Sequence, residues 1–277
     1  MAISASDVKK LRDITGAGMM DCKKALNDAN GDMAQAEKIL KEKGLAAVAK
    51  RSERATSEGR IYIKQEGNKI AIVAVTCETD FVAKNADFIA TGEKVLAEVL
   101  AKGYTEANDE LKNMVLDFAT RTRENMSLSI VKLIEVPADC SAGMYIHTDF
   151  KQAAVVVIKG SADDKVKEFA RDCCMHLVAE TPAYNTRAEV PAEYIEEQKS
   201  IFKSQMDQDE KMANKPENVK EGILQGKINK HLAEICFEDQ MFVKDDKKTV
   251  KAKLDEVGKS VGAELSFADI NLLLLGK

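Results

Sequence analysis

The chain has no Trp among its 277 residues and only 3 His. Those imidazoles, His147, His176 and His231, are widely separated, so a His-based metal or catalytic cluster has little to draw on. Six Cys are present (Cys22, Cys77, Cys140, Cys173, Cys174 and Cys236), yet no two stand in a C-x-x-C pair. That spacing points away from a zinc knuckle or a thioredoxin-type redox pair. No apolar run approaches the ~20 residues a membrane helix needs. The longest is Leu272 to Leu275. The start, Met1-Ala2-Ile3-Ser4, lacks the basic run and apolar core of a secretory leader. A reducing, cytoplasmic setting with free thiols is therefore expected. There is also no excess of positive charge: 41 Lys and Arg stand against 46 Asp and Glu, a net charge of −5. This argues against a broad nucleic-acid-binding face, which must be net basic.

What is present suits a soluble, multi-part chain. Hydrophobic residues make up 45% and charged residues 31%. Residues 1–55 read as three short helices plus a linker. Ser4 or Ser6 caps the first, Thr15-Gly16-Ala17-Gly18 breaks it, Asp32 caps the third, and Gly44 is expected to stop it. Such a module buries only a small core. Val48 to Gly59 is polar and reads as the linker. In residues 56–140 the period changes. Arg60–Lys64 and Lys69–Thr76 form a β-hairpin, followed by helices over Asn85–Lys102 and Asn108–Glu124 and a β-like stretch, Ser129–Val136. Residues 141–180 repeat the order: Gly143–His147 and Ala153–Lys159 as a hairpin, then a helix with Val166, Phe169, Cys173 and Leu177 on one stripe. The pattern suggests a duplicated α+β core. Residues 181–230 read as a projecting antiparallel helical hairpin, turning at Asn214-Lys215-Pro216, which either packs on its own core or serves dimerisation or docking. Residues 231–265 return to the core, and residues 266–277 form a C-terminal module with a short helix over Phe267–Leu275. The fold class expected is α+β.

Enzyme motifs do not survive inspection. Gly16-Ala17-Gly18 has no preceding strand and no third Gly at the required spacing. There is no Walker lysine loop and no nucleophile-elbow sequence. Cys173-Cys174-Met175-His176 could suggest a metal cluster, but Cys173 falls on the apolar stripe of a helix, where burial is the better reading. The informative segment is Cys77-Glu78-Thr79-Asp80-Phe81-Val82-Ala83-Lys84-Asn85, where a strand hands over to a helix. Thr79 or Asp80 suits a helix cap. Phe81 falls at the corner, where an aromatic can be core or an exposed wedge, with a carboxylate directly before it.

Two long motifs then carry a specific resemblance. The run Leu11-Arg12-Asp13-Ile14-Thr15-Gly16-Ala17-Gly18-Met19-Met20-Asp21-Cys22-Lys23-Lys24-Ala25-Leu26 is similar to the first signature of the translation elongation factor Ts family, and Cys77–Asn85 resembles its second. Gln240-Met241-Phe242-Val243 with Lys248-Thr249-Val250 resembles a later landmark, although the Pro-containing run that usually follows is missing. The resemblance implies an N-terminal ubiquitin-associated-like module, a two-part core, a helical hairpin and a small C-terminal module. It implies guanine-nucleotide exchange on elongation factor Tu: binding of the GDP-bound GTPase, displacement of its Mg²⁺ and release of GDP so that GTP can bind. Carried over, Thr79, Asp80, Phe81 and Val82 reach the partner's nucleotide site, Leu11, Arg12, Met19 and Met20 form a first contact surface, and His147 lies at the interface. No catalytic residue, cofactor or metal of the chain's own is expected, and neither membrane nor direct nucleic-acid binding. A homodimer or a two-plus-two complex is compatible with that reading.

Three other functions compete. A ubiquitin-associated-like binding scaffold would bind ubiquitin or a nascent chain without affecting exchange. An RNA chaperone would use Lys41, Lys43, Lys50, Arg51 and Arg54, a cluster without interleaved aromatics. A thiol enzyme would need Cys173 or Cys174 exposed and thiolate-prone.

Overall fold

Ser4 opens the first helix, α1 (Ala5–Thr15), through a reciprocal capping box: its hydroxyl accepts from the Asp7 N–H and the Asp7 carboxylate accepts from the Ser4 N–H. The structure is a computed structural model that describes residues 3–209 and 215–276. Helices α2 (Met19–Asp28) and α3 (Met33–Ala49) follow, and the Asp32 carboxylate caps α3 by accepting from the Gln35 N–H at 3.0 Å. Val8, Leu11, Cys22, Ala25, Leu26, Ala36 and Leu40 form their shared core.

Two expectations for this region need correction. Gly44 does not stop α3, which runs on to Ala49. A Cβ at Gly44 would lie 2.7 Å from the Thr120 Cβ, so this glycine is the point of close approach to a later helix. Nor does the polar stretch after α3 hang free. The Arg51 guanidinium is buried and donates to the Ala47 and Thr122 carbonyls, each at 3.0 Å, and the Asn125 amide donates to the Ser52 and Arg54 carbonyls.

Strands β1 (Glu58–Glu66) and β2 (Lys69–Cys77) form an antiparallel hairpin with Ile61 opposite Ala74. The one-turn helix α4 (Asp80–Ala83), α5 (Ala86–Lys102) and α6 (Asp109–Ala119) follow. Strand β3 (Met126–Glu135) then returns antiparallel beside β2. In the resulting order β1-β2-β3 the central strand is buried on both faces, which explains its continuous apolar run. Ala71, Val73 and Val75 pack against Phe88, Val95, Val99, Leu111 and Val115 of α5 and α6. Helix α6 ends at Ala119, five residues short of the expected Glu124. The hydroxyls of Thr120 and Thr122 bond the Asp117 and Ala119 carbonyls there, competing with further helix.

A second three-stranded sheet has the order β4 (Cys140–Ile146), β5 (Gln152–Lys159) and β8 (Ser266–Leu274). The expected C-terminal helix is therefore a strand. Its run of four Leu carries no period that separates helix from strand, and the open edge of β5 decides between them. With it, the duplication is complete: each sheet is a hairpin plus a third strand beside the hairpin's second. Between β5 and β8 come α7 (Asp164–Glu180), α8 (Ala192–Asp207), α9 (Glu217–Ile235), the ribbon β6 (Met241–Phe242) and β7 (Asp245–Thr249), and α10 (Val250–Val261).

The chain divides into two compact units. One comprises Met1–Glu135, Ile146–Gln152 and Leu273–Lys277, and the other Val136–Tyr145 and Ala153–Leu272. In the second, Val156, Ile158, Phe169, Cys173, Leu177, Phe237, Phe242 and Leu254 make the core. His176 is buried there. Its Nε2 lies 3.0 Å from the Gln240 Oε1, and its Nδ1 accepts the Val243 N–H at 3.2 Å. Cys173 and Cys174 are also buried, and burial pushes the Cys174 thiol up to about 12, which removes the thiol-enzyme reading. Helices α8 and α9 run antiparallel: the Tyr194 hydroxyl meets His231 at 2.9 Å near the base, and Lys227 sits over the Phe202 ring further out. The expected turn at Asn214 falls in part outside the described residues. No helix among the described residues is long and apolar enough to cross a membrane.

Candidate functional site

The segment between β2 and α5 is built as a braced corner. The last pair of the β2–β3 ladder sets Cys77 opposite Met126. Beyond it, side chains replace the ladder. The Glu124 carboxylate accepts from the backbone N–H groups of Glu78 (3.1 Å) and Thr79 (3.0 Å) and from the Thr79 hydroxyl. In return, the Glu78 carboxylate accepts the Asn125 N–H at 2.6 Å and pairs with Arg54 at 3.4 Å. The Thr79 hydroxyl oxygen also accepts the Val82 N–H at 3.4 Å and so caps the single turn of α4. Cys77, its thiol raised to about 12 first by burial and then by the charges of Glu124 and Glu58, stays protonated and donates to the Thr79 carbonyl at 3.2 Å.

This framework carries Phe81 outward at 82% exposure, while Cys77 before it and Ala83 after it are buried. Val82 is half-buried against the α5–α6 core. Asp80 binds Lys84 at 2.6 Å, and that hydrogen bond holds its carboxyl below the ordinary carboxylate range. An ionised Asp80 beside an exposed ring gives the corner one anionic and one apolar face.

A cavity of about 450 Å³ lies beside the corner. Asp80, Ala83 and Lys84 line one side, Glu58, Gly59 and Arg60 another, and the β4–β5 turn, Thr148 to Lys151, a third. The turn is anchored: the Phe150 carbonyl accepts the Ile61 N–H at 2.8 Å, Arg60 lies 3.5 Å over the Phe150 ring, and Lys151 pairs with Glu58. Gly59, at φ +144, brings its backbone so close to β2 that a Cβ would stand 2.2 Å from the Val75 carbonyl oxygen. His147 heads this turn, half-buried. Its N–H donates to the Gln152 carbonyl and its carbonyl accepts the Phe150 N–H, but its side chain does not line the cavity.

On the N-terminal module, Arg12, Met19 and Met20 are exposed, Met20 at 76%. Ile14 joins them as an exposed apolar residue the sequence reading did not single out. Leu11 departs from expectation. It is 1% exposed in the three-helix core, so it supports this surface from beneath and offers no atoms to a partner. The basic cluster is already engaged: Lys41 pairs with Asp117, Lys43 with Asp21, Arg54 with Glu78, and Arg51 is buried on backbone carbonyls. That leaves little of it for phosphate. Sequence reasoning also missed Glu124, Asn125, Arg60 and Phe150, which brace the corner and its neighbouring turn from remote parts of the chain. No local signal marks them.

The family model "Elongation factor TS" matches residues 78–269, a span that opens on the braced corner itself. Curated proteins named elongation factor Ts extend the match to both ends. One from Treponema denticola is 52% identical over 281 residues, covering 100% of this chain and 99% of its own. One from Treponema pallidum is 48% identical over 293 residues with the same coverage. A third, from Borrelia duttonii, is 37% identical over 282 residues and covers all of both chains. The chain belongs to the elongation factor Ts family. Within this family of translation elongation factors, the matched span begins just after β2 and takes in β3 and the second sheet up to Asp269 in β8, and the full-length relatives take in the N-terminal module and the β1–β2 hairpin as well.

Proposed function

We propose that the chain accelerates GDP release from elongation factor Tu during translation elongation, with Phe81 as the wedge. The observation that carries this reading is an aromatic ring held almost fully in solvent on a corner whose backbone is bonded from several sides. A large exposed aromatic on a preorganised support has the makings of an interface hot spot. The exposed surface of Arg12, Met19 and Met20 provides initial docking, and the turn headed by His147 provides a second contact. Residues 1–55 then act as the docking module and residues 56–140 as the wedge-bearing one, within the cytoplasm.

The thermodynamics is linkage. GDP and Mg²⁺ favour one arrangement of the GTPase and the factor favours another, so each weakens the other by the same factor in a transient ternary complex. Phe81 supplies apolar anchoring in a pocket of the partner. Asp80 reorganises polar groups around the partner's Mg²⁺ without having to ligate it. No covalent bond is made or broken, so the activity is exchange rather than catalysis in the covalent sense. Stopped-flow release of fluorescent GDP from elongation factor Tu tests the reading. Phe81→Ala should slow release at saturating factor by roughly thirtyfold, the effect of losing about 2 kcal/mol at a hot spot. Release at the unaltered rate would defeat the wedge.

A further inference from the structure

We propose that Glu124 is a positioning residue for the exchange corner, transmitting the order of the β2–β3 sheet to Phe81. The proposal rests on the wedge reading above and adds to it a residue 43 positions away along the chain. Phe81 is almost unpacked, so the orientation of its ring is inherited from the backbone that precedes it. That backbone is held by Glu124. One oxygen of its carboxylate takes the N–H groups of Glu78 and Thr79, and the other takes the Thr79 hydroxyl. The hydroxyl, with its proton directed at Glu124, is free to accept the Val82 N–H on its oxygen and so caps the turn that carries Phe81. Glu124 thus reaches Phe81 both through the backbone and through the Thr79 hydroxyl.

Glu124 is itself seated. The next residue, Asn125, is buried; its N–H donates to the Glu78 carboxylate and its amide to the Ser52 and Arg54 carbonyls. Two acidic residues, each accepting from the other's strand, continue the β2–β3 ladder one step beyond its last backbone pair. Charge-assisted bonds of this kind are stronger than neutral ones. They also leave the following turn few alternatives, so less ordering is required when a partner binds.

The test uses the full chain and elongation factor Tu loaded with fluorescent GDP, in a double-mutant cycle of Glu124→Ala and Phe81→Ala. Glu124→Ala should slow release at saturating factor about tenfold, as expected for lost hydrogen bonds to a charged group. It should slow release far less, or not at all, in the Phe81→Ala background. Glu124→Gln keeps one accepting oxygen and turns the other into a donor facing donors, so it should give a smaller loss in a securely folded protein. A second readout is independent of exchange. The chain has no Trp, so Phe81→Trp places one fluorophore at the corner, and its anisotropy should fall when Glu124→Gln or Glu124→Ala is added while the thermal transition persists. Equal slowing by Glu124→Ala with and without Phe81 would overturn the positioning role. So would an unaltered rate in both Glu124 variants while Phe81→Ala remains slow, a result that spares the wedge. If Phe81→Ala itself has no effect, the wedge reading fails and takes the positioning role with it.

Discussion

The two three-stranded sheets share an order but differ at the junction that follows their central strand. After β2, residues 78–85 make a corner, an extra helical turn and an exposed Phe before α5 starts. After β5, residues 160–163 pass directly into α7, capped by the Asp163 carboxylate on the Lys165 N–H at 2.8 Å. Both junctions solve the same problem, starting a helix over a buried strand. Only the first inserts a turn that buries its two ends and leaves a ring outside. The second is what the fold needs for stability. The additional residues of the first are the part we propose to serve a partner.

Four outcomes would break or sharpen this contrast. The largest effect belongs to the cores. Phe169→Ala, beneath the second sheet, should cost about 3–5 kcal/mol of stability by urea denaturation. Phe81→Ala should stay within about 0.5 kcal/mol of the parent, as expected for a surface change. If the two cost the same, Phe81 is a packing residue and the contrast is wrong. Next is exchange: the roughly thirtyfold slowing expected for Phe81→Ala has no counterpart at the second junction. Ser161→Ala or Lys165→Ala there should leave release unaltered in the same assay. Third, the two caps separate stability from activity. Thr79→Ala and Asp163→Ala should each cost about 1 kcal/mol, but only Thr79→Ala should also slow GDP release.

The smallest effect concerns pH. Burial lowers the pKa of His176 below its ordinary 6.5. Below pH 6.5 the unfolded chain takes up a proton that the native His176 resists, so its contribution to stability is complete above that pH and declines as pH falls towards the native value. His176→Gln should show a shallower loss of urea midpoint between pH 7 and 5.5 than the parent. An equal slope would place the acid sensitivity elsewhere. The first unit contains no fully buried His, so the protection factors of amides around the corner, corrected for intrinsic exchange, should change less over that interval than those around His176.

Much of the scaffold was legible in the sequence because it rests on short-range chemistry. The Ser4 and Asp32 caps, the β1–β2 hairpin and the stripe on α7 follow from rules spanning three or four residues. Thr79 was readable as a cap and Phe81 as a residue of a corner for the same reason. Three misreadings share a different cause. The C-terminal run Phe267–Leu274 has no period of its own, and its state depends on the edge of β5. Gly44 looks like a helix stop until the approach of Thr120 is seen. Leu11 lies in a signature motif next to exposed residues, but the packing of three helices turns it inward. A helix continued to Glu124 would hide the residue that braces the corner; the Thr120 and Thr122 hydroxyls end it earlier by bonding the Asp117 and Ala119 carbonyls.

By itself the sequence determined which segments form helices and hairpins, where the motif-bearing turn falls and the absence of a membrane-length apolar run. Each depends on residue type and near-neighbour spacing. Only the tertiary structure decided that Phe81 points into solvent, that Glu124 and Glu78 lock across two strands, and that the last strand completes a second sheet. These depend on contacts between residues tens to more than a hundred positions apart, whose geometry is set by packing rather than by any local pattern.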